Sequence, residues 1–252
     1  REKSDYHLPM TNIQRLNSHD HATIGITTDT SEHENAIYSP IVVQEFRRLQ
    51  SCFPLLFTKP SDGSAYQPVA LFGLQAEENL FIKNNSWLST HVPLLIERGP
   101  LLIATESASS NGRDPENFVA INCDHTTVSS TAGERLFNDD GSNTKYLNRL
   151  TNTLTQIHAG VAKTSEFVAL LTKHELISPL TLRIPLTKGK AAELQGLYAI
   201  DDEKLQNASD RTLIDLHKNS CLLPSYMMIA SMGEVARLIE LKNLKIEQDC
   251  EF

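Results

Sequence analysis

The chain is poor in several things, and each scarcity closes off a class of function. Its 252 residues contain four cysteines and one tryptophan, and 23 basic residues stand against 31 acidic ones. Cys52, Cys123, Cys221 and Cys250 are widely separated, with no C-x-x-C or C-x-x-C-H among them. Structural zinc, haem attachment and a thioredoxin-like dithiol therefore find no support. Cys52 and Cys221 have apolar sequence neighbours, where a buried, inert thiol is the expectation. The apolar runs are only a few residues long, far short of the roughly 20 that cross a bilayer, so no membrane insertion is expected. Arg1, Glu2, Lys3 and Asp5 open the sequence without an apolar signal core, which leaves two expectations: a cytoplasmic location, or a signal already removed ahead of Arg1. A net charge of -8 without a Lys/Arg cluster argues against a nucleic-acid backbone as partner.

What is present is the composition of a globular protein, 40% apolar and 21% charged. No linker or internal repeat divides it, so a single domain over residues 1–252 is expected, with a partly irregular segment at 1–35 and a frayed tail at 247–252.

The strongest local signals lie between Pro40 and Arg98. Pro40 suits the first turn of a short helix whose apolar stripe is Val42, Phe46 and Leu49. Phe53, Leu55, Leu56 and Phe57 read as a buried strand, ended by the loop Lys59, Pro60, Ser61, Asp62 and Gly63. Pro68 to Leu74 reads as a second strand pairing antiparallel with it, and Leu80 to Ile82 as a third, which together make a meander. Ser86 is placed as the N-cap of a helix carrying Trp87, Leu88, Val92, Leu94, Leu95 and Ile96, stopped by Gly99 and Pro100 before a strand at Leu101 to Ile103.

Elsewhere, Ile24 and Ile26 suggest an edge strand, Thr105 to Glu116 a surface loop, and Phe118 to Ile121 another strand. Ser142 or Asn143 should cap a helix whose apolar positions are Leu147, Leu150, Leu154, Ile157, Val161, Thr164, Val168 and Leu171. That spacing implies roughly 30 residues and about 45 Å. Two readings stay open: a helix spanning the core, or a homodimer seam formed by Leu147, Leu150, Leu154, Ile157 and Val161. Leu180, Leu182, Ile184 and Leu186 alternate as a strand ahead of a turn at Thr187 to Lys190 and a return strand over Leu194 to Ile200. Asp201 or Asp202, then Ser209 or Asp210, should cap two short helices. Cys221 to Met232, apolar almost all round, reads as a buried helix, and a last helix carries Val235, Leu238, Ile239, Leu241 and Leu244. The fold class expected is α+β, an antiparallel-rich mixed sheet packed against the long helix and a C-terminal helical group.

Tempting chemistry fails on spacing. His19 and His21 would point the same way on a strand, but no third metal ligand follows at diagnostic spacing. Asp124 and His125 are adjacent and lack a G-x-S-x-G elbow, so a polar turn is expected. Gly141 as the sixth residue of a calcium loop would put Leu136 and Leu147 where Asp and Glu are needed. No metal, no cofactor and no catalytic set are assigned.

A succession of short motifs resembles the SapC family of bacterial proteins. It runs through Glu45 and Phe46; Phe53, Pro54, Leu55 and Phe57; Pro68, Val69, Ala70, Leu71, Gly73 and Leu74; Glu78, Asn79, Leu80 and Phe81; and Trp87, Val92 and Pro93. Leu16, Asn17, His19 and His21 extend it upstream. Downstream it continues through Glu134, Leu136, Phe137, Asp140 and Gly141, and through Gly196, Leu197, Tyr198, Ile200, Asp201, Glu203, Lys204 and Leu205. The departure is at Glu97 to Leu101, where relatives carry Arg-Arg-Tyr-Pro-Phe.

The resemblance implies an accessory or interaction protein linked to the surface layer, the cell envelope or outer-membrane uptake systems, with a protein partner and without demonstrated catalysis. It transfers no catalytic residues, and it does not extend to the peptide-uptake permease that shares the name. The alternative is an enzyme or small-ligand binder for a peptide or glycan-like compound. Its candidate residues are the polar and aromatic groups nearest the motif core, Glu45, Glu78, Asn79, Trp87, His91 and Arg98, with Glu45 and Glu78 as an acid and base.

Overall fold

The structure, a computed structural model, describes residues 12–60, 63–105 and 117–249. Ser61, Asp62, Cys250, nearly all of the Thr105 to Glu116 loop, the first eleven residues and the end of the expected tail lie outside the described residues. The strands are β1 (Ile13–Arg15), β2 (Gly25–Ile26), β3 (Tyr38–Pro40), β4 (Leu55–Thr58), β5 (Gln67–Leu71), β6 (Ile82–Lys83) and β7 (Ser86–Trp87). They continue with β8 (Leu101–Thr105), β9 (Asn117–Asn122), β10 (Val128–Ser129), β11 (Glu134–Arg135), β12 (Ile177–Pro185) and β13 (Ala191–Ile200). The helices are α1 (Phe46–Leu49), α2 (Leu94–Glu97), α3 (Lys145–Lys173), α4 (Asp202–Gln206), α5 (Asp210–Lys218), α6 (Leu222–Ser231) and α7 (Val235–Gln248). This is a mixed α+β fold with a long helix and a C-terminal helical group. No helix among the described residues is long and apolar enough to cross a membrane.

The chain divides into two compact units, one of Arg1–Asp29 with Glu97–His158, the other of Thr30–Ile96 with Ala159–Phe252. In the first unit β9 pairs antiparallel with both β1 and β8, and β2 lies between β10 and β11. The edge strand expected around Ile24 is thus central to its small sheet. Leu101, Ile121, Leu136, Leu147, Leu150 and Leu154 form the core of this unit.

The second unit is built on the five-stranded antiparallel order β12-β13-β4-β5-β3. Proline cannot donate to a ladder, and Pro40, Pro179 and Pro185 fall in the two edge strands, β3 and β12, while Pro68 near the start of β5 is the exception inside the sheet. Pro40 therefore ends a strand rather than opening a helix; a 3₁₀ turn, Val43–Glu45, leads into α1 instead. The expected stripe of Val42, Phe46 and Leu49 is buried.

The pairing of β4 with β5 is as expected, Leu55 opposite Ala70 and Phe57 opposite Pro68. The meander is not, because β3 takes the far side of β5. Leu80 and Phe81 are buried in irregular chain, and Ile82 pairs with Trp87 in a separate hairpin. The helix expected from Ser86 does not form. Asn84 and Asn85 have φ of 52° and 56°, the left-handed pair required by a two-residue hairpin turn, and this turn chemistry overrides the apolar spacing behind it. Only α2 remains of that helix, starting just after Pro93.

Aromatic packing concentrates around the tryptophan. Phe53 meets Phe81 at 4.6 Å and Phe72 at 5.1 Å between centroids, and Phe72 meets Trp87 at 5.3 Å. Each fully buried phenylalanine is worth about 2–3 kcal/mol of apolar transfer, and each ring pair about 1 kcal/mol more.

Helix α3 has 29 residues. Its N-cap is Thr144, whose hydroxyl accepts from the Leu147 amide at 3.2 Å, rather than Ser142 or Asn143, which belong to the preceding turn. Leu147, Leu150 and Leu154 are buried within the first unit, and Phe167, Val168 and Leu171 within the second. Ile157 is half-buried and Val161 is 56% exposed, because the buried line reaches the expected Thr164 through Gly160 instead of Val161. A Cβ on Gly160 would stand 2.7 Å from the Cβ of Val42. Four hydroxyls of the helix, on Thr155, Thr164, Ser165 and Thr172, donate to the carbonyl four residues back. The helix ends in a Schellman pattern, with Leu176 N donating to Leu171 O and Glu175 N to Thr172 O, and Glu175 holds φ 55°.

At the C-terminal end, Asp201 and Ser209 cap α4 and α5, as expected. Helix α6 departs from expectation. Met227 and Met228 are buried, but Leu223 and Tyr226 are 55% and 47% exposed, so the helix is not apolar because it is enclosed. Cys52 and Cys221 are buried free thiols, and desolvation, with Glu166 and Asp215 nearby, pushes the Cys221 pKa up.

Candidate functional site

The expected site residues go to different places. Glu45 closes the 3₁₀ turn and is 2% exposed. Its Oε1 accepts from the Val42 amide at 2.9 Å and its Oε2 from the Leu94 amide at 2.8 Å, with the Arg48 guanidinium 3.6 Å away. Arg48 in turn donates to Val92 O at 2.8 Å, so the two side chains fasten the segment entering α2. Burial pushes the Glu45 pKa up, and the two amides and Arg48 oppose that shift.

Asn79 spans His33 O and the Phe81 amide, each at 2.9 Å. Trp87 is half-buried, with the His33 ring 6.2 Å from its own. His91 is exposed, and its amide reaches Ser89 Oγ at 3.4 Å. Arg98 belongs to the first unit, where it donates to Leu101 O at 2.5 Å and burial pulls its pKa down. Glu45 and Glu78 share no hydrogen bond and hold different groups, so the acid and base pairing expected of them is not assembled by any contact between the two.

Glu78 lines a cleft. This cleft, about 360 Å³, lies between the Leu74–Glu78 loop, the β12–β13 turn and the last turns of α7. Local geometry builds each wall. Gly73 lets the loop fold back, since a Cβ there would collide with the carbonyl oxygen of Glu78. The loop is closed by the Leu74 amide donating to Glu78 Oε2 at 3.2 Å. The hairpin turn holds Lys188 at φ 54° and is tied to α7 by the Thr187 amide donating to Asn243 Oδ1 at 2.9 Å. On α7, Leu238, Lys242 and Ile246 are buried at steps of four along one face.

The cleft centres on a buried ion pair. Lys242 Nζ lies 2.6 Å from Glu78 Oε1, the two side chains being 11% and 1% exposed, and Lys245 Nζ lies 3.6 Å from the same oxygen. Lys190, Glu193 and Asp249 complete the charged lining, and Leu74, Leu186, Ala192 and Ile246 the apolar part. With both oxygens engaged, Glu78 holds the Lys242 ammonium and the Leu74 amide. What this arrangement can do is bind.

Lys190, Lys242 and Lys245 escaped the reading of the sequence because lysines on a terminal helix and a turn look like a solvated face. One signal was available: Lys242 interrupts the apolar line from Leu238 to Ile246 with a charge. The other tempting groups serve turns. His21 is buried with Nδ1 against the backbone of Asn17, and His19 is exposed. The hydroxyl and amide of Ser142 hold the Asp140 carboxyl below its ordinary pKa. Among the described residues, no group of three His, Cys, Asp or Glu side chains is placed to hold a metal.

Comparison with curated proteins and with solved structures gives no match. The SapC family model matches residues 16–238, from the Leu16 motif, through the aromatic cluster and both walls around Glu78 and Lys190, into α7. The chain belongs to the SapC family.

Proposed function

We propose that this SapC-family chain is an accessory protein without catalysis that binds a protein partner of the bacterial envelope, its surface layer or outer-membrane uptake systems. The observation that carries this reading is α6: its ten residues include no charge, and Leu223, Tyr226 and Ala230 are exposed at steps of three and four, on one face of the helix. Exposed apolar groups gathered on one face are the usual mark of an interaction site. Family membership supports the envelope setting. The engagement of Glu45 and Glu78 with backbone amides and a lysine supports binding rather than turnover.

The test is sedimentation of the purified chain with isolated bacterial outer membranes and with surface-layer sheets. Saturable co-sedimentation that the double substitution Leu223→Glu/Tyr226→Glu abolishes, with an unchanged melting temperature, is the expected result. A chain that stays in the supernatant, or a double variant that sediments as before, overturns the reading. So does a dimer mass by light scattering that the same variant reduces to a monomer, which would assign the face to self-association.

A further inference from the structure

The cleft beside α7 carries an inference separate from the partner-binding face. Burying a carboxylate and an ammonium costs several kcal/mol per ion before their attraction repays it, and apolar side chains of similar size commonly serve stability as well. A buried ion pair in the wall of an open cleft is thus poorly explained by stability alone.

Its donor count is also incomplete. Lys242 Nζ has three donors, and among the described residues its hydrogen bonding is to Glu78 Oε1 alone. Both oxygens of Glu78 are engaged, with the Leu74 amide on Oε2 and Lys242 on Oε1, and Lys245 adds a second ammonium 3.6 Å from Oε1. One carboxylate between two ammoniums leaves a positive charge over, with N–H directions free to meet an anionic oxygen. Asp249 lines the same cleft, as does Glu193. Glu193 Oε1 accepts from Gln195 at 2.7 Å and lies 3.6 Å from Arg183, while its Oε2 has no partner among the described residues. The two carboxylates set opposite charge beside the ammoniums. That pairing disfavours a multiply charged anion and suits a molecule bearing one charge of each sign. The volume, about 360 Å³, is at the small end for ligand sites, and the apolar part accepts a short aliphatic side chain.

We propose that this cleft binds a small zwitterion, a free amino acid or dipeptide, with its carboxylate on Lys242 and Lys245, assisted by Lys190, and its ammonium towards Glu193 and Asp249. The test is titration of the full chain, by calorimetry and by amide chemical shifts, with L-alanine, L-alanyl-L-alanine, its N-acetyl and C-amide derivatives, and inorganic phosphate. The expected result is saturable binding of alanine or the dipeptide, weakened about tenfold or more when either terminus is blocked. Lys190→Gln and Lys245→Gln, both at exposed positions, should each weaken binding about fivefold or more at an unchanged melting temperature.

Four results would overturn the proposal: no saturation by either zwitterion at about 20 mM, blocked dipeptides binding as well as the parent, phosphate binding as tightly as the zwitterions, or unchanged affinity in both lysine variants. None of these bears on sedimentation with envelope material, so the two proposals stand or fall separately.

Discussion

Glu45→Gln is the sharpest probe of how the motif core is held. The carboxylate accepts two backbone amides, one from Val42 three residues before it and one from Leu94 49 residues after it. Glutamine keeps the shape but has one acceptor, so its NH₂ must face one of those amides. A buried N–H left without an acceptor costs about 1–3 kcal/mol, and the surviving bond falls from charge-assisted to neutral, a further loss of about 1 kcal/mol. Relief from burying a charge offsets part of this, since burial is the largest influence on Glu45 and raises its pKa. A net loss of about 2 kcal/mol is expected, read as a lower urea midpoint at an unchanged slope.

The pH dependence has a definite sign. A carboxyl whose pKa is higher folded than unfolded binds more protons in the folded state, so its contribution to stability falls as pH rises from the unfolded value through the folded one. Glutamine has no such dependence. The difference between wild type and Glu45→Gln should therefore be largest on the acid side of that window and shrink above it. An unchanged midpoint at all pH values, or a difference that grows with pH, refutes this account.

Four further outcomes follow from packing, backbone geometry and the buried ion pair. Glu175→Gly should stabilise by about 1 kcal/mol, because it relieves a left-handed residue at the end of α3 without removing its backbone bonds; an unaltered melting temperature would contradict it. Gly160→Ala should destabilise by about 1–2 kcal/mol, as overpacking against Val42 outweighs the gain in helix propensity of about 1 kcal/mol. Gly233→Ala, where a Cβ would meet nothing within 4 Å, should be neutral or slightly stabilising, so equal urea midpoints for the two alanine variants would refute the close approach. Lys242→Met should cost about 3 kcal/mol by stranding the Glu78 carboxylate, the low end for such a loss because Lys245 can approach; a urea midpoint equal to that of wild type would show the pair to be dispensable.

Local rules made much of the fold legible. Asp201 and Ser209 cap the helices they were expected to cap, the apolar spacing along α3 marked a buried face, and alternation over Leu180 to Leu186 marked β12. At Ser86 two local signals competed and one belonged to a turn. Ser86 and Trp87 look like the start of a helix until Asn84 and Asn85 are recognised as a hairpin turn. Periodicity follows one face and cannot see its neighbour, which is why Val161 was assigned to the buried line that Gly160 and Thr164 occupy. The cleft was less legible still. Its walls come from three distant stretches, around residues 74–78, 186–193 and 242–249, and only Glu78 had been picked out.

The hydroxyls that bond back along α3 have a consequence for how the protein is made. Threonine, valine and isoleucine are reluctant helix residues, and back-bonded hydroxyls weaken a helix further, so Lys145–Lys173 owes its form to what surrounds it. It leaves the ribosome ahead of β12, β13 and every helix that follows. During synthesis the partners of its first half, Ile26, Leu101, Ile121 and Leu136, are already made, whereas the half from Ala159 on gains its full enclosure only once β12, β13 and the helices after them have emerged.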